Sequence, residues 1–137
     1  EQLRKKNYPI PIITPETAGE NLARQAKSND FTLFEYFQTD RCGHAQDREL
    51  SRLLLNRLDR FVGTVVSRMP TDFCLILTSD HGNIEDLSVK THTLNPVPLF
   101  VFGAGAESFG KVNSITEICP SILNLLGVPV SSNTAFG

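Results

Sequence analysis

The sequence has few features of a disulfide-stabilised, membrane-spanning or nucleic-acid-binding protein. Its three cysteines are widely spaced and form no C-x-x-C pair, so neither a disulfide framework nor a zinc knuckle is indicated. Apolar runs are short, as in Leu99–Gly103, whereas a membrane span requires about 20 apolar residues. The net charge is -2 and basic residues form no run longer than residues 4–6, which argues against a nucleic-acid partner. We therefore expect a protein of a reducing, cytoplasmic compartment that contacts neither membranes nor nucleic acids.

The length and composition favour one folded domain. The chain has 137 residues, of which 40% are hydrophobic, and this is enough for a packed core. Its only methionine is Met69, so the sequence does not begin at its own initiator residue. We expect residues 1–137 to form a single domain that is a fragment of a longer protein and lacks the N-terminal part of its active site.

The first half of the chain shows helix, strand and helix patterns in turn. A helix start with Thr14 as N-cap and Pro15 at the first position predicts a helix ending near residues 28–30. The aromatic residues 31–37 predict a strand, and the polar residues 38–47 a loop. From residue 47 to about residue 68, apolar side chains recur every three or four positions, as expected for a long amphipathic helix.

The second half adds two strands and a helix. Residues 73–78 form a nearly continuous apolar run, typical of a strand that is buried on both faces. Residues 98–102 predict a third strand after a polar loop, and a capping box at residues 114–117 opens a helix that should stop at Gly127. This order predicts an α/β fold with a mainly parallel sheet flanked by helices.

Carboxylates and imidazoles gather where the predicted strands end. Asp40 and His44 follow the first strand, Asp80 and His81 follow the second, and His92 precedes the third. Ligands of open α/β sheets bind at such strand ends. A single loop histidine is usually solvated and aspartates commonly cap turns, but the grouping of these five residues favours a metal site. Mixed carboxylate and imidazole ligands suit Zn, Mn or Fe.

Three motifs then point to a known family. They are D-R-C-G-H at residues 40–44, T-S-D-H-G-N at 78–83 and T-H-T-L-N-P-V-P at 91–98. In this order they resemble the metal-binding half of the alkaline phosphatase superfamily, and within it the cofactor-independent phosphoglycerate mutase branch. The resemblance covers residues 31–127 and implies an alkaline-phosphatase-like α/β fold, of which this chain would be the C-terminal portion.

The resemblance also implies a site with two divalent metal ions, Mn or Zn. Asp40, His44 and His92 would hold one ion, and Asp80 and His81 would hold the other. Two metal ions in such a site stabilise the attacking and the leaving oxygen in phosphoryl transfer. Asn83 is expected either to support His81 or simply to stabilise a turn.

The implied activity is phosphoryl transfer or phosphate-ester hydrolysis on a small phosphorylated substrate, as in a phosphomutase or phosphatase. The nucleophile of the family is a Ser or Thr that should lie upstream of Glu1, and Ser79 is expected to be structural. The isolated chain should then be inactive, with the missing N-terminal part of the same protein as its partner. The alternative is a non-catalytic metal-binding or interaction module of the same fold.

Overall fold

The computed structural model describes residues 8–129. The two ends of the expected 1–137 domain, residues 1–7 and 130–137, lie outside the described residues. The described elements are helices α1 (Pro15–Ala26), α2 (Gln38–Ala45), α3 (Arg48–Arg68) and α4 (Ile118–Leu125), strands β1 (Cys74–Thr78) and β2 (Leu99–Gly103), and the short 3-10 turns Ala106–Phe109 and Ile115–Glu117.

Helices α1 and α3 begin where the sequence predicted. The Thr14 hydroxyl oxygen accepts from the Thr17 amide at 3.1 Å, and Pro15 opens the first turn of α1. The Asp47 carboxylate accepts from the Leu50 amide at 2.9 Å and caps α3. Both caps satisfy amides that have no partner within the helix.

Four of the buried apolar side chains belong to these two helices. Ala23 of α1 and Leu54, Phe61 and Val65 of α3 are all buried. Gly19 allows close approach, because a Cβ at this position would lie 2.8 Å from the carbonyl oxygen of Phe61. The α1–α3 pair therefore forms the core against which the neighbouring α2 is held.

The sheet differs from the prediction in direction. β1 and β2 form at the predicted places, but they pair antiparallel, with Cys74 opposite Gly103 and Thr78 opposite Leu99. A parallel neighbour needs a crossover, usually a helix, and residues 79–98 contain no helix. The chain therefore returns beside β1 in the opposite direction. β1 is also only half-buried, so the expected burial on both faces is wrong.

The predicted first strand and the loop after it were both wrong. Residues 31–36 are irregular and largely exposed, and residues 38–47 contain α2 instead of a loop. A strand requires a neighbour that accepts and donates its backbone hydrogen bonds, and none of the described strands lies beside residues 31–37. A cavity of about 930 Å³ separates this segment from β1.

The C-terminal helix confirms its predicted signals. The capping box joins Ser114 and Glu117, although the first turn is 3-10 and α4 begins at Ile118. Gly127 has a φ of 69°, and the Val128 amide donates to the Leu123 carbonyl at 2.8 Å, which ends the helix in a Schellman motif. Among residues 8–129, no helix combines the length and hydropathy that a membrane crossing would need.

Candidate metal centre

Helix α2 places the first two predicted ligands on one face. Asp40 and His44 are four residues apart, so they lie one turn from each other. The Nε2 atom of His44 is 3.3 Å from Oδ1 of Asp40. Its other ring nitrogen, Nδ1, contacts the carbonyl oxygen of Lys90. Because a carbonyl only accepts, Nδ1 carries the proton in the neutral ring and Nε2 is left with the lone pair that a metal requires.

The arm formed by residues 79–98 brings the other two histidines together. An isolated antiparallel bridge pairs Gly82 with Thr93. His81 and His92 are then diagonal neighbours on the same face of the arm, since one precedes each bridged residue. Their rings stack with centroids 3.5 Å apart and an interplanar angle of 12°.

All three imidazoles point at one carboxylate oxygen. The Oδ1 atom of Asp40 lies 3.3 Å from Nε2 of His44, 3.4 Å from Nε2 of His92 and 3.9 Å from Nε2 of His81. Donor atoms of Asp40, His81 and His92 all lie within 4.8 Å of one another. This is the spacing of groups that can share a cation, and the donor set of oxygen and imidazole nitrogen fits a transition metal.

Asp80 lies at the margin of this cluster. Its Oδ1 is 3.6 Å from Nε2 of His81, and its side chain is 80% exposed. The group of three whose donor atoms converge, Asp40, His81 and His92, contains neither Asp80 nor His44, but His44 lies 3.3 Å from Oδ1 of Asp40. The structure thus brings Asp40, His44, His81 and His92 together and leaves Asp80 beside them, facing solvent.

Asn83 supports a different residue from the one that the sequence suggested. Its side chain is 6% exposed, and its Nδ2 donates to Oδ1 of Asp40 at 3.2 Å. Its own Oδ1 has no hydrogen-bond partner among the described residues. The amide therefore fixes Asp40, which belongs to α2, from the start of the arm.

Glu85 is a residue that the sequence analysis missed. Its carboxylate accepts from the backbone N–H of Asn83 at 2.6 Å, from the side-chain amide of Asn95 at 3.1 Å and from the Thr93 hydroxyl. These bonds, that from Thr93 foremost, lower the pKa of Glu85 from 4.5 to about 2. An acid in a polar loop is unremarkable in sequence, and only the Gly82–Thr93 register shows what it faces.

The hydroxyls in the two loop motifs are engaged in holding the arm. Oγ of Ser79 donates to the His81 carbonyl at 2.8 Å, and the Thr93 hydroxyl donates to Glu85. Cys42 of α2 is buried, and its thiol lies 3.2 Å from Oγ of Ser51 in α3. The thiol therefore faces the α2–α3 junction.

Carboxylate and imidazole donors thus converge between α2 and the arm of an α/β chain, an arrangement suited to holding a metal ion. Comparison with protein families agrees, because the model of the Metalloenzyme superfamily matches residues 14–130. The chain belongs to this superfamily, which confirms the resemblance inferred from the three motifs.

Curated relatives narrow the likeness to one kind of enzyme. The chain is 32% identical over 133 residues to the 2,3-bisphosphoglycerate-independent phosphoglycerate mutase of Desulforudis audaxviator, covering 88% of this chain and 26% of that protein. It is 28% identical over 129 residues to the mutase of the same name from Ehrlichia ruminantium, covering 87% and 26%, and 25% identical over 125 residues to that of Wolinella succinogenes, covering 86% and 25%. The chain thus spans about a quarter of the length of these relatives. No solved structure matches it.

Proposed function

We propose that this chain is the metal-binding part of a phosphoryl-transfer enzyme that acts on a small phosphorylated substrate. The observation that carries the proposal is the convergence of three imidazole Nε2 atoms on Oδ1 of Asp40, at 3.3, 3.4 and 3.9 Å. Such a set of neutral nitrogen and anionic oxygen donors fits divalent ions such as Mn or Zn.

The distances to the two carboxylates favour dividing the donors between two ions, although the group of three that converges joins Asp40 and His92 to His81 and not to His44. His44 and His92 are each within 3.4 Å of Asp40, whereas His81 is nearer to Asp80, at 3.6 Å, than to Asp40, at 3.9 Å. We assign Asp40, His44 and His92 to one ion and Asp80 and His81 to the other. The second set has only two ligands here, so other parts of a longer protein would complete it.

The chain's own residues prepare the site for a phosphate dianion. Bound divalent ions would supply the positive charge that the oxygens of a transferring phosphoryl group require. Among the proposed ligands in the described part of the chain, Asp40 and Asp80 are the carboxylates, so two divalent ions would leave these ligands net positive. The backbone carbonyl of Lys90 orients His44, and the side-chain amide of Asn83 orients Asp40. These ligands are therefore held in place before a substrate binds.

The nucleophile is proposed to come from outside these 137 residues. The hydroxyls of Ser79 and Thr93 already donate to His81 and Glu85, respectively. The relatives are about four times longer than the matched region and are phosphoglycerate mutases, so we propose mutase-type transfer between phosphate esters. A cytoplasmic location completes the proposal and agrees with three cysteines that are all unpaired.

Calorimetric titration with Mn²⁺ or Zn²⁺ tests the metal site. We expect binding to the wild-type chain and at least about tenfold weaker binding to Asp40→Asn and His92→Ala, since losing a ligand costs no less than losing its supporting partner. Asp59→Asn, on the exposed surface of α3, is the matched control and should bind as the wild type does. Equal affinity in all four proteins would place the ions elsewhere.

Activity measurements test the incompleteness of the chain. The isolated chain should not turn over phosphoglycerates or simple phosphate esters, because a covalent route needs the absent nucleophile. A longer natural protein that contains this sequence should be active with Mn²⁺ or Zn²⁺. Turnover by the isolated chain that Ser79→Ala abolishes would show that the nucleophile is Ser79. Metal binding without turnover by the longer protein would favour the non-catalytic module.

A further inference from the structure

We propose that Asn83, Glu85 and Thr93, here called the clamp, are positioning residues that set the distance between the ligands before a metal binds. The inference rests on the proposed metal site and goes further, because it assigns a role to residues that touch no ion. The clamp connects the three chain segments that carry ligands. These segments are α2 and the two sides of the arm.

The first part of the clamp ties the two sides of the arm to each other. Glu85 lies on the outgoing side, and its carboxylate accepts from Thr93 and Asn95 on the returning side. The same carboxylate also accepts from the backbone amide of Asn83 at 2.6 Å. His81 and His92 lie next to these residues, so their separation depends on the bonds to Glu85.

The second part ties the arm to α2. The buried side chain of Asn83 donates to Oδ1 of Asp40 at 3.2 Å, which is the oxygen that faces all three imidazoles. This bond uses one lone pair of the oxygen and fixes the direction of the carboxylate. The clamp therefore orients Asp40 relative to the histidine pair.

Two glycines leave the space that the clamp occupies. A Cβ on Gly43 would overlap Oδ1 of Asn83, and a Cβ on Gly82 would overlap the Thr93 hydroxyl and approach Oε1 of Glu85 to 2.6 Å. Each glycine belongs to a different ligand motif and faces a different clamp residue. The two motifs are thus fitted to each other through the clamp as well as through the ligands themselves.

The clamp is tested with variants that change its bonds but leave every ligand in place. Thr93→Val removes the hydroxyl at nearly constant shape, Thr93→Ser keeps it, and Glu85→Gln replaces one acceptor oxygen with a group that only donates. Glu49→Gln, an exposed acid in a surface pair with Arg52, is the matched control. For each protein, calorimetry gives the affinity for Mn²⁺ or Zn²⁺, and nuclear Overhauser effects between the His81 and His92 rings report their separation without metal.

We expect Thr93→Val and Glu85→Gln to weaken metal binding about 10- to 100-fold, the usual cost of losing a partner outside the ligand set. The ring-to-ring Overhauser effect should fade in the same two variants, while the thermal melting of the α1–α3 core stays close to that of the wild type. Thr93→Ser and Glu49→Gln should keep both the affinity and the Overhauser effect. Recovery by serine distinguishes the hydroxyl bond from a general loss of packing.

Failure of the clamp and failure of the metal site give different results. Wild-type affinity and an unchanged Overhauser effect in Thr93→Val and Glu85→Gln would overturn the clamp and leave the metal site standing. If the wild type itself bound no metal, the proposed function would fail. The metal-free Overhauser effect would then still decide whether Glu85 and Thr93 hold the two rings together.

Discussion

At the scale of single residues, Glu85 makes a specific pH dependence testable. Hydrogen bonds from the side chains of Thr93 and Asn95 and from the backbone N–H of Asn83 lower the pKa of this carboxyl from 4.5 to about 2. Because the folded value lies below the unfolded one, the bonds contribute their full stability above about pH 4.5 and lose it as the pH falls towards 2. The carboxyl carbon resonance of Glu85 should therefore stay constant down to about pH 3.5.

Thr93→Val supplies the comparison for this titration. Valine has no hydroxyl, so the largest cause of the lowered pKa of Glu85 is removed. The titration midpoint of Glu85 should therefore move up towards 4.5. Identical titrations of the two proteins would mean that Thr93 does not donate to Glu85 in solution. Because Glu85 is exposed, solvent screens its bonds and the accompanying change in global stability should be small.

The proposed ligands could be named from the sequence, whereas Glu85 and the contact of Asn83 with Asp40 could not. Imidazole and carboxylate side chains are recognisable by chemistry alone, so Asp40 and the three histidines stood out from the surrounding loops. Asn83 and Glu85 act through the register of the arm, which pairs Gly82 with Thr93. The two bridged residues are more than ten positions apart in the chain, so no local sequence pattern encodes their pairing.

At the scale of elements, we expect a glycine-to-alanine substitution to have opposite effects at Gly19 in α1 and at Gly63 in α3. Gly19→Ala should destabilise the chain by about 1–3 kcal/mol, because the added Cβ would lie 2.8 Å from the Phe61 carbonyl oxygen and 2.9 Å from Cβ of Thr64. Gly63→Ala should stabilise it by up to about 1 kcal/mol, since Gly63 has open space around it and alanine favours the helix. Urea denaturation measures both, and a stabilised Gly19→Ala would show that α1 and α3 are packed less closely.

The elements that were predicted correctly are those with local determinants. Caps and apolar periodicity lie within α1, α3 and α4 themselves, so the sequence is sufficient to locate them. The strand expected at residues 31–37 depends on a neighbour, and the direction of β2 depends on the connection before it. A polar loop was expected before the strand at residues 98–102, but its consequence for the direction of that strand follows only from the rule that parallel strands need a crossover.

At the scale of the whole molecule, the candidate ligands and the sheet belong to different elements. β1 pairs with β2, and a cavity of about 930 Å³ is lined by β1 together with apolar residues of α1, α3 and α4. Phe31, Leu33, Phe34 and Phe37 are all more than half exposed along the segment across this cavity. The ligands are carried by α2 and by the arm, which are tied through Asp40, Asn83 and Glu85. The proposed metal centre therefore depends on α2 and the arm and not on the two described strands of the sheet.

This arrangement predicts that metal stabilises the whole chain. A ligand that binds only the folded state adds about 2.7 kcal/mol at 100 times its dissociation constant, or roughly 10 °C in melting temperature for a domain of this size. The melting temperature with Mn²⁺ or Zn²⁺ should exceed the melting temperature with a chelator by this amount. The difference should shrink at acid pH, because an imidazole must lose a proton before it can bind a metal ion. His44→Ala and His92→Ala should each reduce the difference, whereas Asp59→Asn should not. Identical curves in metal and chelator would exclude a folded-state metal site, and a shift that survives both histidine substitutions would place the ion away from Asp40.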